Sequence, residues 1–395
     1  MRVGLYGIYG TYNFGCEAIV RGAVKFIRNN FGNCDIIYFS YSYDFDRIAL
    51  RDLDIKIVSV ENKHTFIVRA INKTLRMIHS KKQIPTIPFN KIIDQIDVVF
   101  SIGGDIYTIP AYLREKEKYP YYNHLVDFCN RAISNGKKVI VYGASVGPFG
   151  KYIKAVNYYV NNLSKYDKIL CREQDSVDYL KKLGLDNMTF FPDPAFTVRL
   201  AQDNEVEKKY IGVNLSPLSL NETNGSYGEK EIKSMASLMD KLIEETDERL
   251  LFIPHVISNN PNDNDYLFLK EICKKMEHKD NVTFADYSGG FLGIKKQLRE
   301  CKIVISARMH CAINAVCENV PTIFLSYSQK SIGMCKYVYG DERWVIRLND
   351  INTDLISKAK ELLDNRVKTG RTLAVRNKEI WEYITHNQQI FNDWR

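Results

Sequence analysis

The chain has 395 residues, more than the roughly 250–300 over which one hydrophobic core usually grows, so two domains are expected. Apolar residues make up 45% of the chain and charged residues 26%, which are ordinary values for a globular protein. The formal net charge of +8 fits an anionic substrate or membrane surface, and no nucleic-acid-binding module is recognisable, so no nucleic acid partner is expected.

Cysteine usage and the N-terminal sequence bear on the cellular compartment. Nine cysteines without a Cys-X-X-Cys pair indicate free thiols in a reducing compartment, and no metal-ligating cluster is present in the sequence. The chain begins directly with a strand-like segment, so no signal peptide is expected. It also lacks a run of about 18 apolar residues, the length that a membrane-spanning helix needs. A cytoplasmic protein is therefore expected.

The first half of the chain alternates short apolar strands with helical stretches. Strands that are apolar throughout and alternate with helices are typical of a parallel, doubly wound sheet. The predicted strands are Val3–Tyr6, Asp35–Phe39, Lys56–Val60, Asp97–Ile102, Lys138–Tyr142, Lys168–Cys171 and Thr189–Phe191, and the predicted helices include Glu17–Arg28, Tyr122–Ser134 and Asp175–Leu183.

A polar stretch at residues 201–209 predicts a boundary between domains 1–203 and 204–395. Beyond it the alternation resumes and ends in a C-terminal helical tail. The predicted strands there are Tyr210–Leu215, Leu250–Ile253, Val282–Phe284, Ile303–Ser306 and Thr322–Leu325, and the predicted helices are Ile232–Ile243, Tyr266–Met276, Gly293–Glu300 and Cys311–Glu318. We expect two doubly wound, Rossmann-like α/β domains facing a cleft, with ligands at the carboxyl ends of the strands.

Two glycine-containing loops follow predicted strands. Gly7–Ala18 runs from a strand through a glycine-rich loop into a helix, and glycines let backbone amides approach an anion near a helix N-terminus. Its polar residues Asn13 and Glu17 are predicted to contact substrate, although a plain tight turn is the alternative. The second loop contains Gly103, Gly104 and Asp105, where the carboxylate could orient or deprotonate a sugar hydroxyl or simply cap a turn.

Two arginines each lie between the end of a predicted strand and the start of a predicted helix. Arg172 follows the strand Lys168–Cys171 and presents a planar fork suited to a carboxylate or phosphate. The alternative is a structural ion pair with Glu173, Asp175 or Asp193.

The other arginine, Arg308, is separated from His310 by a single residue, so in an extended loop both side chains point the same way. A cation beside an imidazole at a helix N-terminus is typical of an anion site with a proton donor attached.

Taken together and in order, seven segments of residues 1–335 resemble the polysaccharide pyruvyl transferase family. They are Gly7–Ala18, Gly103–Asp105, Tyr142–Pro148, Arg172–Ser176, Asp193–Phe196, Arg308–His310 and Pro321–Gly333. The chain departs from the family pattern at Ala144, where a polar residue is expected, and at Cys311, where Gly is usual.

The resemblance implies a fold like that of GT-B glycosyltransferases, phosphoenolpyruvate as donor and a sugar diol as acceptor. Arg172, Arg308 and His310 match the donor-binding and catalytic positions of the family. The expected product is a cyclic, 4,6-O-linked ketal on an exopolysaccharide or capsule precursor, formed without a cofactor and with release of phosphate. Phosphoenolpyruvate carries a phosphate and a carboxylate and therefore needs at least two cationic partners.

Further residues are predicted to contact substrate around this site. Ser328 and Lys330 lie in a loop after the strand Thr322–Leu325 and could close over the phosphate, although Lys330 could equally be a solvated surface residue. His255 follows the strand Leu250–Ile253 and could face the cleft. The alternatives to a pyruvyl transferase are a GT-B glycosyltransferase that uses a nucleotide sugar and a non-catalytic module that binds sugars or anions.

The stretch from residue 62 to residue 93 contains no acidic residue but seven Lys and Arg residues. Ile67, Ile71, Leu75 and Ile78 recur at helical spacing, and the basic residues fall elsewhere on the helix. A basic amphipathic helix of this kind predicts peripheral contact with an anionic inner membrane face through residues 63–82, which would suit a lipid-linked oligosaccharide acceptor. A surface helix that packs on the sheet is the alternative.

Overall fold

The computed structural model describes residues 1–60, 70, 71, 73, 74, 89–118, 121, 123–201, 206–327 and 329–387. The chain forms two compact units. The N-terminal unit contains residues 1–11 and 26–193, and the C-terminal unit contains residues 12–25 and 194–395. The sequence predicted a single division at 203/204. The division found lies ten residues earlier, and it places residues 12–25 in the C-terminal unit.

The N-terminal unit is built on a parallel sheet of seven strands in the order β3-β2-β1-β4-β5-β6-β7. The strands are β1 Arg2–Tyr6, β2 Asp35–Ser40, β3 Lys56–Ser59, β4 Val98–Ile102, β5 Lys138–Ala144, β6 Lys168–Cys171 and β7 Met188–Phe190. The described helices are α1 Phe14–Phe31, α2 Tyr43–Ala49, α3 Phe89–Ile93, α4 Ala111–Arg114, α5 His124–Ser134, α6 Ile153–Leu163 and α7 Gln174–Lys182. Of α1, residues 14–25 belong to the C-terminal unit.

The C-terminal unit has a parallel sheet of six strands in the order β10-β9-β8-β11-β12-β13. The strands are β8 Tyr210–Asn214, β9 Arg249–Phe252, β10 Val282–Phe284, β11 Cys301–Ser306, β12 Thr322–Ser326 and β13 Val345–Arg347. The helices are α8 Pro217–Asn224, α9 Glu229–Thr246, α10 Asp265–Lys275, α11 Gly290–Leu298, α12 Met309–Cys317, α13 Gln329–Tyr339, α14 Ile351–Asp364 and α15 Arg366–His386.

Central strands are buried on both faces, which explains why they read as continuous apolar runs. All five residues of β4 are buried, as are six of the seven in β5. A parallel sheet requires this, because its crossover helices cover both faces. Helix α5 shows the matching pattern and buries Leu125, Val126, Phe128, Cys129 and Ala132. The expected fold class, two doubly wound Rossmann-like α/β domains, is confirmed.

Strand order reverses direction once in each sheet, between β1 and β4 and between β8 and β11. Ligands in open α/β sheets bind outside the carboxyl ends of the strands at such a switch point. The loop that starts at Gly7 follows β1, Gly103 follows β4, and Arg308 follows β11. The predicted motifs therefore lie where each sheet offers a binding crevice, whereas the predicted cleft between the two domains stays a prediction.

The predicted membrane contact cannot be compared with the fold, because most of residues 63–82 lie outside the described residues. Among the helices that are described, none is both long and apolar enough to cross a membrane. All nine cysteines are free thiols.

Candidate active site

The residues predicted from the sequence fall into two groups, one in each unit. Gly103, Gly104, Asp105 and Arg172 belong to the N-terminal unit. The C-terminal unit contains Asn13, Glu17, His255, Arg308, His310 and Lys330. Ser328 lies outside the described residues. Each group is described by itself.

In the N-terminal unit Arg172 is surrounded by acidic and hydroxyl side chains. Its own side chain is 0% exposed. Nη1 donates to Asp193 Oδ2 at 2.9 Å, Nη2 donates to Asp105 Oδ1 at 3.0 Å, and Nε donates to Ser145 Oγ at 3.0 Å. Burial lowers the pKa of Arg172, but the carboxylates, Asp193 above all, outweigh it, so the net pKa is raised and the group stays charged. The ion pair with Asp193 that the sequence offered as an alternative is present.

The glycines of the Gly103–Asp105 loop leave room for this guanidinium. A Cβ on Gly104 would lie 2.9 Å from Arg172 Nη1. Gly103 has a φ of +144°, a backbone conformation that residues other than glycine rarely adopt. The loop therefore folds directly over the buried charge. Asp105 contributes one oxygen to the ion pair, yet its side chain remains 56% exposed.

Four of the segments that resemble the pyruvyl transferase family thus converge on Arg172. They contribute Asp105, Ser145, Arg172 itself and Asp193. Every nitrogen of the guanidinium already donates to a protein oxygen, so in this arrangement Arg172 orients the partly exposed carboxylate of Asp105. Direct donor binding by Arg172 stays a prediction.

Changing Arg172 to Lys is expected to destabilise the protein. A Lys keeps the charge but cannot reach three acceptors in different directions, which leaves buried oxygens without a partner at a cost of roughly 1–3 kcal/mol. The control is Arg131→Lys, because Arg131 is half exposed and pairs with Asp127 on the same helix. Urea unfolding should show a lower midpoint for Arg172→Lys only. Equal stability of both variants, with weaker phosphoenolpyruvate binding in Arg172→Lys, would instead make Arg172 a donor ligand.

In the C-terminal unit Asn214 joins three strand ends at the switch point. It is the last residue of β8 and is completely buried. Its Nδ2 donates to Ile253 O at 2.9 Å, while its Oδ1 accepts from Arg308 N at 2.9 Å and from Ser306 Oγ at 3.2 Å. The turn from β11 into α12 is therefore held in place, and with it the backbone of Arg308.

The side chain of Arg308 lies between two carboxylates. Nη2 donates to Asp263 Oδ1 at 2.7 Å and to Asp265 Oδ1 at 2.8 Å, and Nε donates to Asp265 Oδ1 at 3.1 Å. Burial lowers the pKa of Arg308, but Asp265 and then Asp263 raise it to a net value above the usual one. Within the described part of the chain Nη1 has no partner, so one edge of the fork remains available to an anion.

His310 is the second residue of α12 and is partly exposed. The N-cap residue of α12, Arg308, makes no side-chain capping bond. Helix N-terminal amides favour an anion, so the amides, the free edge of Arg308 and the imidazole of His310 form a set suited to an anion that must also receive a proton.

Residues 12–25 contribute the other wall of this site. Phe14 N donates to His255 O at 3.0 Å and Ile257 N donates to Tyr12 O at 2.9 Å, which places the start of α1 beside the end of β9. A Cβ on Gly15 would lie 2.6 Å from Cβ of His310, so only glycine allows the backbone of α1 to approach the imidazole this closely.

Asn13 and Glu17 have structural roles in this segment. Asn13 Oδ1 accepts from Gly15 N at 2.9 Å and so caps α1. Glu17 is 1% exposed, and its carboxylate accepts from Arg21 Nε at 2.8 Å and from Phe291 N at 3.3 Å at the start of α11. Their predicted contacts with substrate stay predictions.

His255 lies beneath the site, because it is only 1% exposed. Asn314 Nδ2 lies 3.3 Å from His255 Nε2, and Lys295 Nζ lies 3.3 Å from Asn314 Oδ1. Lys295 can only donate, so the Asn314 oxygen faces it and the amide NH₂ faces an accepting Nε2. Burial lowers the pKa of His255 well below its usual value, and nearby basic groups, above all His310, lower it further. A neutral, buried imidazole cannot supply a proton to substrate, so His255 supports α12 from behind.

Lys330 is the second residue of α13 and is partly exposed. Its predicted contact with phosphate stays a prediction.

Sequence reasoning missed the polar residues that support Arg308 and His310, all of which are buried except Asp263. They are Asn214, Asp263, Asp265, Lys295 and Asn314. The sequence contained a signal for two of them, because Asn214 ends a strand and Asp265 begins a helix, which are the positions where ligand-binding residues of α/β domains occur. The others lie within helices or turns whose sequence looks like an ordinary surface.

Comparison with known proteins bears on this assignment. The family profile described as polysaccharide pyruvyl transferase matches residues 13–329. The amylovoran biosynthesis protein AmsJ of Erwinia amylovora is 22% identical over 304 residues, which are 72% of this chain and 70% of AmsJ.

Solved structures show the same two-domain architecture at low identity. A UDP-GlcNAc 2-epimerase from Neisseria meningitidis superposes with a TM-score of 0.57 and 12% identity, covering 98% of this chain and 100% of the epimerase. The lipopolysaccharide outer core galactosyltransferase WaaB has a TM-score of 0.50 and 12% identity, covering 98% of this chain and 100% of WaaB. These similarities support the GT-B-like fold alone. Since the family profile spans most of the chain, the protein belongs to the polysaccharide pyruvyl transferase family.

Proposed function

We propose that this protein transfers the pyruvyl group of phosphoenolpyruvate onto a sugar diol and closes a cyclic ketal, 4,6-O-linked, on an exopolysaccharide or capsule precursor. Phosphoenolpyruvate is the co-substrate, and no cofactor takes part. The acceptor is a sugar on a growing polysaccharide unit, and a lipid-linked oligosaccharide is the form that would suit a protein in peripheral contact with the membrane.

One observation supports this proposal most strongly. Three groups occur together at the switch point of the C-terminal sheet. They are the edge of Arg308 that has no partner among the described residues, the side chain of His310, and the N-terminus of α12, whose N-cap residue makes no side-chain capping bond. Phosphoenolpyruvate presents anionic oxygens that can bind to the edge of Arg308 and to the N-terminus of α12. Its methylene carbon must accept a proton. The imidazole of His310 is partly exposed, and we assign to it the delivery of that proton.

The reaction balances with the groups that this site offers. A sugar hydroxyl bonds to C2 of phosphoenolpyruvate, the carbon that carries the phosphate ester, while His310 gives its proton to the methylene carbon, which becomes a methyl group. The bond from C2 to the phosphate oxygen then breaks, and phosphate leaves with its electron pair. The second hydroxyl attacks the same carbon and closes the ketal. The proton of the first hydroxyl passes to His310 and replaces the proton that His310 gave to the new methyl group. The proton of the second hydroxyl leaves with the phosphate.

Incubation of the protein with phosphoenolpyruvate and a panel of galactosides and hexosaminides tests the proposal. The expected result is phosphate release that depends on the acceptor, with a mass gain of one pyruvyl unit on the sugar. Phosphate release without a modified sugar would indicate hydrolysis, and no release with any acceptor would contradict the proposal.

Phosphoenolpyruvate is also expected to protect the protein against thermal unfolding. A ligand that binds only the folded state at 100 times its Kd stabilises it by about 2.7 kcal/mol. UDP-sugars serve as the comparison, because proteins named for them share the fold. Differential scanning fluorimetry should show a larger rise in Tm with phosphoenolpyruvate. Protection by a UDP-sugar alone would favour a glycosyltransferase.

A further inference from the structure

A cluster of aromatic side chains in the N-terminal unit shares no residue with the group around Arg172. Tyr9 follows β1, Tyr41 follows β2, and His124 begins α5. The ring centroids of Tyr9 and Tyr41 are 5.2 Å apart, those of Tyr9 and His124 are 5.9 Å apart, and those of Tyr41 and His124 are 6.1 Å apart. We call these three side chains the Tyr9 platform.

The Tyr9 platform is held in place from beneath. The hydroxyl of Tyr41 lies 2.5 Å from the hydroxyl of Tyr6, which is completely buried and stacks on Phe128 with a centroid distance of 4.0 Å. The hydroxyl of Tyr9 lies 3.4 Å from Nε2 of His124. The rings are therefore ordered without a ligand, so binding would cost little conformational entropy.

Although ordered, the platform is left accessible by the described residues. Tyr9 is 51% exposed, and Tyr41 and His124 are partly exposed. The platform lies at the carboxyl ends of β1 and β2, beside the switch point between β1 and β4. Ligands bind at this edge in open α/β sheets, which distinguishes the platform from a scattered surface aromatic.

The platform carries no formal charge near neutral pH. Burial raises the pKa of Tyr9, so its phenol keeps its proton. Burial lowers the pKa of His124, whereas the carboxylate of Asp127 opposes that shift, and the imidazole is neutral at pH 7. Phosphoenolpyruvate has two anionic groups and would find no cation among these three side chains. A neutral ligand with an apolar face and hydroxyl groups matches them instead.

We propose that the Tyr9 platform is a binding subsite for a neutral sugar ring of the acceptor. The C–H face of a pyranose stacks on Tyr9, whose ring is tilted by 47° from that of Tyr41 and by 54° from that of His124, and the sugar hydroxyls bond to the phenol oxygens and to His124. That this sugar is the acceptor rests on the proposed function. The subsite itself rests on the geometry and charge of the platform.

Saturation-transfer NMR without phosphoenolpyruvate tests the subsite directly. The probes are the methyl glycosides of galactose, glucose, mannose, N-acetylglucosamine and N-acetylgalactosamine. At least one should receive saturation from aromatic protons of the wild-type protein. Tyr9→Ala should weaken that binding by about tenfold, the loss of roughly one aromatic contact. Tyr9→Phe keeps the ring and should retain most of the binding.

The matched control is Tyr112→Ala. Tyr112 is in the same unit and is 72% exposed, but it is in helix α4, and its only described ring contact is with Lys116. Equal probe binding by Tyr9→Ala and Tyr112→Ala would overturn the subsite, as would absence of saturation transfer to every probe in the wild-type protein.

The same variants separate the subsite from the proposed function. If pyruvyl transfer occurs, Tyr9→Ala should raise the acceptor KM about tenfold and leave the KM for phosphoenolpyruvate unchanged. If no pyruvyl transfer is found but Tyr9→Ala still loses the probe, the proposed function fails and the sugar subsite stands. An equal rise in both KM values would contradict a subsite for the acceptor alone.

Discussion

Replacing His310 by Gln is expected to lower turnover by about 10²–10⁴-fold, the usual contribution of a general acid. Gln keeps hydrogen-bonding capacity, but its amide N–H is far too weak an acid to protonate the methylene carbon. The free edge of Arg308 and the helix N-terminus remain, so the affinity for phosphoenolpyruvate should change far less than kcat. Initial rates of phosphate release and the Kd for phosphoenolpyruvate, measured separately, check both parts.

The control for this variant is His278→Gln. His278 lies in the same unit, is well exposed, and pairs through Nε2 with Glu244 at 2.9 Å. It should retain normal turnover. If His310→Gln also turned over at a near-normal rate, His310 would be excluded as the acid. His255 would not replace it, since it is 1% exposed and its pKa is lowered.

Gly15→Ala is expected to reduce kcat by roughly a hundredfold without unfolding the protein, because a displacement of about 1 Å at a reacting group can cost that much. The new Cβ would lie 2.6 Å from Cβ and 2.7 Å from Cγ of His310. These atoms are near the backbone and cannot move aside as the end of a flexible side chain could. The imidazole or the start of α1 must therefore shift.

Stability should change much less than activity in this variant. Gly15 is the second residue of helix α1, where the helical backbone accepts Ala as well as Gly, so the steric contact with His310 is the main cost. The control is Gly293→Ala in α11, where the nearest atom to the new Cβ, Asp286 O, is 3.9 Å away. Tm and kcat are measured for both. Normal kcat in Gly15→Ala would mean that the position of His310 is not critical for turnover.

Regular structure was largely predictable because its signal is local. Strand β6 was predicted to the residue, at Lys168–Cys171, since a buried parallel strand is a short apolar run bounded by polar residues. The edge strand β10, Val282–Phe284, was also predicted to the residue, although its three residues are only partly buried. Strand β13 was missed, and its third residue is an exposed Arg. The position of Arg308 and His310 at the end of β11 followed from the same local pattern.

Charge partners were only partly predictable. The sequence offered Glu173, Asp175 or Asp193 as partners of Arg172. The fold selects Asp193 and adds Asp105, while Glu173 lies farther away at 3.9 Å. For Arg308 no partner was foreseen, and the structure provides Asp263 and Asp265.

The sequence by itself determined the two parallel-sheet domains, the alternation of strands and helices along most of the chain, and the residue types at the strand ends. Only the tertiary structure decided that residues 12–25 join the C-terminal unit, that His255 is buried, and that Arg172 is enclosed by acids. The physical reason is that hydrophobic periodicity is read within one element. Burial and ion pairing, in contrast, depend on which strand ends become neighbours across long sequence separations.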